Sequence, residues 1–314
     1  MGPELADVYR ARRRIAPYLK PTPLIRPAAL GRVMDAEVHL KLENLQPIGA
    51  FKVRGGINLV SAELPALAGR RLLAASTGNH GQSIAYAARQ FGLGATIYAP
   101  EGANALKVDS MRALGAEVVL TGRDFDAARE ACEAAAEASG DRYVHSMEEP
   151  LLIAGVATAY LEAIEEVPDA DLLIVPIGGG SGASGAGLVA KSINPKIRVV
   201  GVQAEGAPAV YRSFRSGRVE STERIDTRAE GLATRQAFGL PVAMIRQYLD
   251  DIVLVSDAEM EDAMRLLMET AHVVAEMAGA ASLAAARRLG VQGQRVILPV
   301  SGGNATREQL AALW

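Results

Sequence analysis

Leu172-Leu173-Ile174-Val175-Pro176-Ile177-Gly178-Gly179-Gly180-Ser181-Gly182-Ala183-Ser184-Gly185 reads as a strand, a turn and the start of a helix. The apolar run shows no polar alternation, as in a strand buried on both faces. The glycines let the backbone approach closely and adopt positive φ, so several N–H groups can point at one anion. The helix start adds partial positive charge. Phosphate suits such a turn, and a tight strand-to-helix connection with close packing would use the same glycines. Outward from this stretch, similar apolar runs occur at 38–42, 72–75, 96–99, 117–120, 199–203, 252–255 and 296–300. Helical stretches, many rich in alanine, lie between them at 52–63, 79–91, 104–114, 124–138, 150–166, 182–192, 257–270, 279–289 and 305–313. Strands alternating with helices predict an α/β fold of parallel sheet covered on both faces, with right-handed crossovers. Residues 63–147 read as a small domain inserted into a larger one formed by 1–62 and 148–314. The cleft between the two is then the expected site. Residues 206–250, with Pro208, Gly217, Gly231, Gly239 and Pro241, read as loops and short helices around its mouth.

Composition narrows the function. The chain has 314 residues, 49% hydrophobic and 22% charged, as a globular protein should. A net charge of −3 with interspersed signs argues against a nucleic-acid or membrane-surface partner. No apolar run reaches the length needed to span a bilayer. The single cysteine, Cys132, excludes an intramolecular disulfide and reads as a small core residue on an alanine-rich helix. The N-terminal segment, with Arg10, Arg12, Arg13 and Arg14, lacks the apolar centre of a signal peptide, so a cytoplasmic location is expected. His39, His80, His145 and His272 form no ligand pattern, and no metal is expected.

Three further segments carry chemistry. Ile48-Gly49-Ala50-Phe51-Lys52-Val53-Arg54-Gly55-Gly56 sets a lysine between glycine-bearing turns, after an aromatic and at a helix start. A lysine that attacks a carbonyl must lose its proton, and desolvation helps it do so. A solvated lysine at a helix start is the plainer reading. Ser76-Thr77-Gly78-Asn79-His80-Gly81-Gln82 follows a strand and opens a helix. Its hydroxyls and backbone N–H groups would cradle a carboxylate, although N-capping would account for one of them. Ser301-Gly302-Gly303-Asn304 ends the last strand, where ligands of parallel sheets bind. A serine there could face a ring nitrogen, and Asn304 could equally cap the last helix. The competing reading of the glycine turn is a dinucleotide site. Gly180-x-Gly182-x-x-Gly185 satisfies that fingerprint, and Glu205 lies about twenty residues on, where a ribose acid would sit. That reading leaves Gly178 and Gly179 surplus and Lys52, Asn79 and Ser301 without a role.

Taken together and in this order, the motifs at 50–55, 76–82, 178–180 and 301–304 resemble those of fold-type II pyridoxal-phosphate enzymes. The resemblance is to the serine/threonine dehydratases (ammonia-lyases) and serine racemases, and runs from Thr22-Pro23-Leu24 to Asn304. It implies a tryptophan synthase β-like fold with pyridoxal 5'-phosphate in the cleft between two α/β domains. It implies β-elimination of a β-hydroxy amino acid, L-threonine or L-serine, to a 2-keto acid and ammonia. A serine or aspartate racemase is the alternative, and a dinucleotide-binding oxidoreductase a distant one. By the resemblance, Lys52 forms the Schiff base, Phe51 packs beside the ring and Asn79 bonds the ring hydroxyl. Gly178, Gly179, Gly180, Ser181 and Gly182 hold the phosphate, and Ser301 faces the pyridine nitrogen. Ser76, Thr77, Asn79 and His80 surround the substrate carboxylate. A homodimer or homotetramer without a C-terminal regulatory domain is expected. The chain departs from the family pattern at Ala50, where serine is usual, and at Ser181, in place of a fourth glycine. Thr77 stands where racemases carry a serine. At a cation site that begins at Glu205, Tyr211 replaces an acid.

Overall fold

The computed structural model describes residues 2–314. Its strands are Leu24–Ile25 (β1), Glu37–Leu42 (β2), Leu72–Ala75 (β3), Ala95–Ala99 (β4), Glu117–Leu120 (β5), Arg142–Tyr143 (β6), Leu172–Pro176 (β7), Arg198–Ala204 (β8), Asp251–Val255 (β9) and Arg295–Val300 (β10). The helices are Leu5–Ile15 (α1), Ala28–Met34 (α2), Lys52–Glu63 (α3), Asn79–Gln90 (α4), Ala105–Ala113 (α5), Phe125–Ser139 (α6), Pro150–Glu166 (α7), Ser181–Ile193 (α8), Ala209–Ser216 (α9), Gly239–Tyr248 (α10), Asp257–Ala271 (α11), Met277–Leu289 (α12) and Arg307–Ala311 (α13).

The strands form two sheets, one ordered β1-β2-β10-β7-β8-β9 and the other β5-β4-β3-β6. Every pairing is parallel except β1 with β2. The central strands, such as β3, β7 and β10, are almost wholly apolar because helices cover both faces of the sheets. On one face of the larger sheet, residues such as Leu40, Val202 and Leu298 pack under α2, α11 and α12. On the other, Leu173, Val175 and Val199 pack under α7, α8 and α10. The smaller sheet rests on α3 and α4 through Leu72, Ala74 and Ile97. On its far side Cys132 of α6 is buried against Leu73 and Ala75, as a core residue.

Local signals account for several element ends. Pro150 opens α7, where its missing N–H costs nothing. Ser256 and Glu259 form a capping box on α11. His272, just past the expected end of that helix at 270, is its left-handed C-cap, φ 56°. Two short strands, β1 and β6, and two helices, α1 and α2, go beyond the sequence expectation. β1 and β6 span two residues each, too short for a periodic pattern. α1 buries only Val8, Ala11 and Ile15, so its arginines dominate the sequence while an i, i+3, i+7 stripe faces inward. α2 lies before β2, whereas α9 and α10 are the short helices expected in the irregular 206–250 stretch.

The candidate active site

The carboxyl ends of β3, β7 and β10 open onto one cleft, about 710 Å³ in volume, between the two sheets. All the residues expected at the site line it: Phe51, Lys52, Ser76, Thr77, Asn79, His80, 178–182 and Ser301. Segments far apart in sequence are stitched by backbone bonds. Phe51 N–H donates to Ser301 O at 3.0 Å, and Gly303 N–H to Gly49 O at 2.9 Å. The first turn of α3 is thereby pinned to the end of β10. Ala50, 0% exposed, packs in the core at this junction, where a serine hydroxyl would need its own partner.

Lys52 is the first residue of α3, and its Nζ donates to Ser181 Oγ at 2.8 Å. Burial pushes the amine down from 10.5 to about 8. The side chain is half-buried and points into the cleft rather than out from the surface. The Phe51 ring centroid lies 5.3 Å from Nζ.

Ser181 begins α8, and Gly180 before it takes φ +100°, a conformation that suits glycine. The amides that open α8 therefore face the cleft without intrahelical partners. Close approach explains two neighbours. A Cβ at Gly178 would overlap Gly231 O, and one at Gly179 would overlap Met147. These are the two glycines that a dinucleotide turn leaves unexplained. Glu205, the ribose acid of that reading, lies outside the cleft and accepts from Arg288 Nη1 at 3.0 Å. The same arginine occupies the carboxylate from which a cation site would start. Among the described residues no group of three His, Cys, Asp or Glu could hold a metal.

The loop from β3 to α4 supplies the opposite wall. Ser76 Oγ accepts from Gly78 N–H at 3.1 Å, which turns the chain into the helix. Asn79, His80 and Gly81 open α4, so their amides are free to meet an anion. His80, expected among the residues around a carboxylate, lines the cleft, but its ring is turned to the backbone. Its Nε2 lies 3.2 Å from Val144 O, and burial, with Lys52 nearby, pushes its pKa down to about 3. The imidazole is neutral with its N–H spent on the backbone, so only the amide of His80 can serve an anion.

Three cleft residues had no sequence signal. Glu276 is buried and accepts from Asn79 Nδ2 at 2.7 Å. Burial raises its carboxyl, with Lys107 and the Asn79 amide opposing. Lys107 of α5 reaches Glu230 Oε2 at 2.6 Å and lies 4.0 Å from Glu276 Oε2. A charged residue reads the same in sequence whether buried or solvated, so only proximity in the fold identifies these.

The residues fit pyridoxal phosphate on their own chemistry. A desolvated amine, a helix start approached by three glycines and a buried neutral hydroxyl at Ser301 match an aldehyde, a phosphate and a ring nitrogen. Comparison with known proteins points the same way. The model of the family described as "Pyridoxal-phosphate dependent enzyme" matches residues 15–302. L-threonine ammonia-lyase of Thermotoga maritima is 40% identical over 96% of this chain and 75% of its own length. The crystal structure of a T.th. threonine deaminase superposes with a TM-score of 0.91 at 36% identity, covering 97% of this chain and 99% of that one. Maize serine racemase superposes with a TM-score of 0.94 at 30% identity, covering 99% and 97%. By sequence, fold and cleft chemistry, the chain belongs to the pyridoxal-phosphate-dependent enzymes of fold type II.

Proposed function

We propose that this enzyme is an ammonia-lyase that deaminates L-threonine, L-serine or both to a 2-keto acid and ammonia. One observation carries the reading: the buried Lys52 amine, lowered to about 8, projects between a phosphate-type helix start and a carboxylate-type helix start. The relatives named for threonine deamination support it. When bound, pyridoxal phosphate supplies the electron sink that makes the substrate Cα–H acidic.

The chain's own residues do the rest. The amides of 178–182 and the Ser181 hydroxyl hold the phosphate, while Phe51, Asn79 and Ser301 orient the ring. The amide-rich start of α4, with Ser76 and Thr77, receives the substrate carboxylate, and the His80 amide contributes there. Lys52 Nζ would anchor the cofactor, and as a free amine it would take the Cα proton. Ser181 Oγ sits 2.8 Å from Nζ and steadies the freed amine. Ser301 would offer the ring nitrogen a neutral hydroxyl rather than an acid, which favours loss of the β-hydroxyl over transamination. In the same reading, residues 63–147 act as the smaller domain, consistent with β3 to β6 forming their own sheet. The enzyme works as a cytoplasmic homodimer or homotetramer.

The likeness to maize serine racemase favours a second reading, in which the same cleft interconverts enantiomers. Thr77, bulkier than the serine that racemases carry, is the residue against it. A keto-acid assay over L- and D-threonine and L- and D-serine separates the two. Keto acid from the L-enantiomers without chiral inversion is the expected result. Borohydride should fix the cofactor to Lys52, and Lys52→Ala should lose at least about a thousandfold in turnover. Near wild-type turnover in that variant would show that Lys52 is not the reactive amine.

A further inference from the structure

Glu276 belongs to none of the sequence motifs, yet its buried carboxyl group faces the cleft beside Asn79 and Ser301. Asn79 Oδ1 accepts from Asn304 Nδ2 at 2.8 Å, and Asn304 Nδ2 also donates to Ile48 O at 2.9 Å. Asn304 Nδ2 can only donate, so it must face the oxygen of the Asn79 amide. The nitrogen of that amide is thereby turned to Glu276 Oε1, at 2.7 Å. A carboxyl oxygen can accept this bond in either ionisation state. A primary amide has two N–H donors, so one donor of Asn79 remains for the cleft.

The backbone around Glu276 is built for this contact. A Cβ at Gly302 would overlap Glu276 Oε1, so the residue after Ser301 must be this small. Gly302 O in turn accepts the Glu276 N–H at 3.0 Å. The glycine of the last-strand motif thus makes room for a carboxyl group at the start of α12 that touches a residue on α4. Asn79 and Glu276 come from different sheets' flanking elements, so their contact also spans the cleft.

We propose that Glu276 is a positioning residue that locks the Asn79 amide, leaving one N–H to be presented to the hydroxyl oxygen on the cofactor's ring. The proposal rests on Asn79 being a cofactor contact, as in the reading above. The test is a double-mutant cycle read by cofactor binding and spectrum rather than turnover. Apoproteins of wild type, Asn79→Ala, Glu276→Met, Glu276→Ala and the two double variants are titrated with pyridoxal phosphate by absorbance. Circular dichroism confirms that each is folded, and either the Met or the Ala variant suffices.

Each single variant should bind the cofactor about tenfold more weakly, equivalent to about 1.4 kcal/mol. The double variants should be no weaker than Asn79→Ala alone, because Glu276 acts through that amide. Glu276→Gln keeps an acceptor oxygen and should restore affinity and the wild-type absorption band. Losses that add in the double variants, or wild-type affinity in Glu276→Met, would overturn the proposal while leaving the lyase reading intact. No effect of Asn79→Ala would remove its premise and overturn it as well. A wild type that binds no pyridoxal phosphate would sink the reading and the proposal together.

Discussion

Burial holds the Lys52 amine down from 10.5 to about 8, and that shift has a thermodynamic consequence. Between those values the unfolded chain binds more protons than the folded one, so stability of the apoprotein rises with pH across that window. Below about pH 8 the penalty is fully present, on the order of 3 kcal/mol. Lys52→Met removes it but also loses the bond to Ser181, worth about 1 kcal/mol. The variant apoprotein should therefore be about 2 kcal/mol more stable than wild type at neutral pH. The advantage should disappear as pH rises from about 8 toward 10.5, as urea unfolding at the two ends would show. Equal stability at neutral pH would mean that the amine is solvated. Ser301 is the second decisive residue. Its Oγ makes only a long bond, 3.3 Å to Ala278 O, and is not tightly committed to the protein. Ser301→Ala should keep the cofactor and lose about one to two decades of turnover, since the ring nitrogen is left without its partner. Unchanged kcat with full cofactor occupancy would remove Ser301 from the mechanism.

Lys52 is only as well placed as α3, and α3 is held by charge buried beside it. Arg54, two residues further on, is 1% exposed and bonds Glu43 and Glu162 with three of its nitrogens. Lys41 completes the group by donating to Glu162 Oε2 at 2.6 Å. Glu43 lies below the usual carboxylate range: burial alone would raise it, and the Arg54 guanidinium more than offsets that. Arg54→Met leaves two buried carboxylates with one ammonium between them, and breaking such a pair costs about 3–5 kcal/mol. The denaturation midpoint should fall accordingly. Arg54→Lys should recover only part of the loss, because an ammonium cannot fork to two carboxylates at once. Full recovery by lysine would show that charge, not geometry, holds the helix. This element also shows a limit of sequence reading. The helix is expected at 52–63, where it is found, whereas nothing local in the sequence marks Arg54 for burial.

Between the two sheets, Lys107 pairs with Glu230, and Arg235 pairs with Asp126, both across the mouth of the cleft. Lys107 is the more buried anchor and also lies beside Glu276. Lys107→Met should loosen this crossing, raising KM several-fold with a smaller change in kcat. Hydrogen exchange in α5 and in residues 223–238 should quicken. Unchanged exchange in both segments would mean that the pair contributes nothing to closure, as many exposed ion pairs do. The sequence by itself determined the alternation of strands and helices, the parallel sheets and the motifs that meet at the cleft. Those follow from local signals: unbroken apolar runs, helical periodicity, and glycines where a turn or close approach demands them. Gly178 and Gly179 already told against a dinucleotide, and the structure supplies the reason in Gly231 and Met147. Only the tertiary structure decided the roles of Glu276, Lys107, Arg54 and the neutral ring of His80. Each depends on a neighbour distant in the chain, such as Asn79 with Glu276 or Arg54 with Glu162. Burial and pairing set a charged side chain's behaviour, and neither leaves a periodic trace in the sequence.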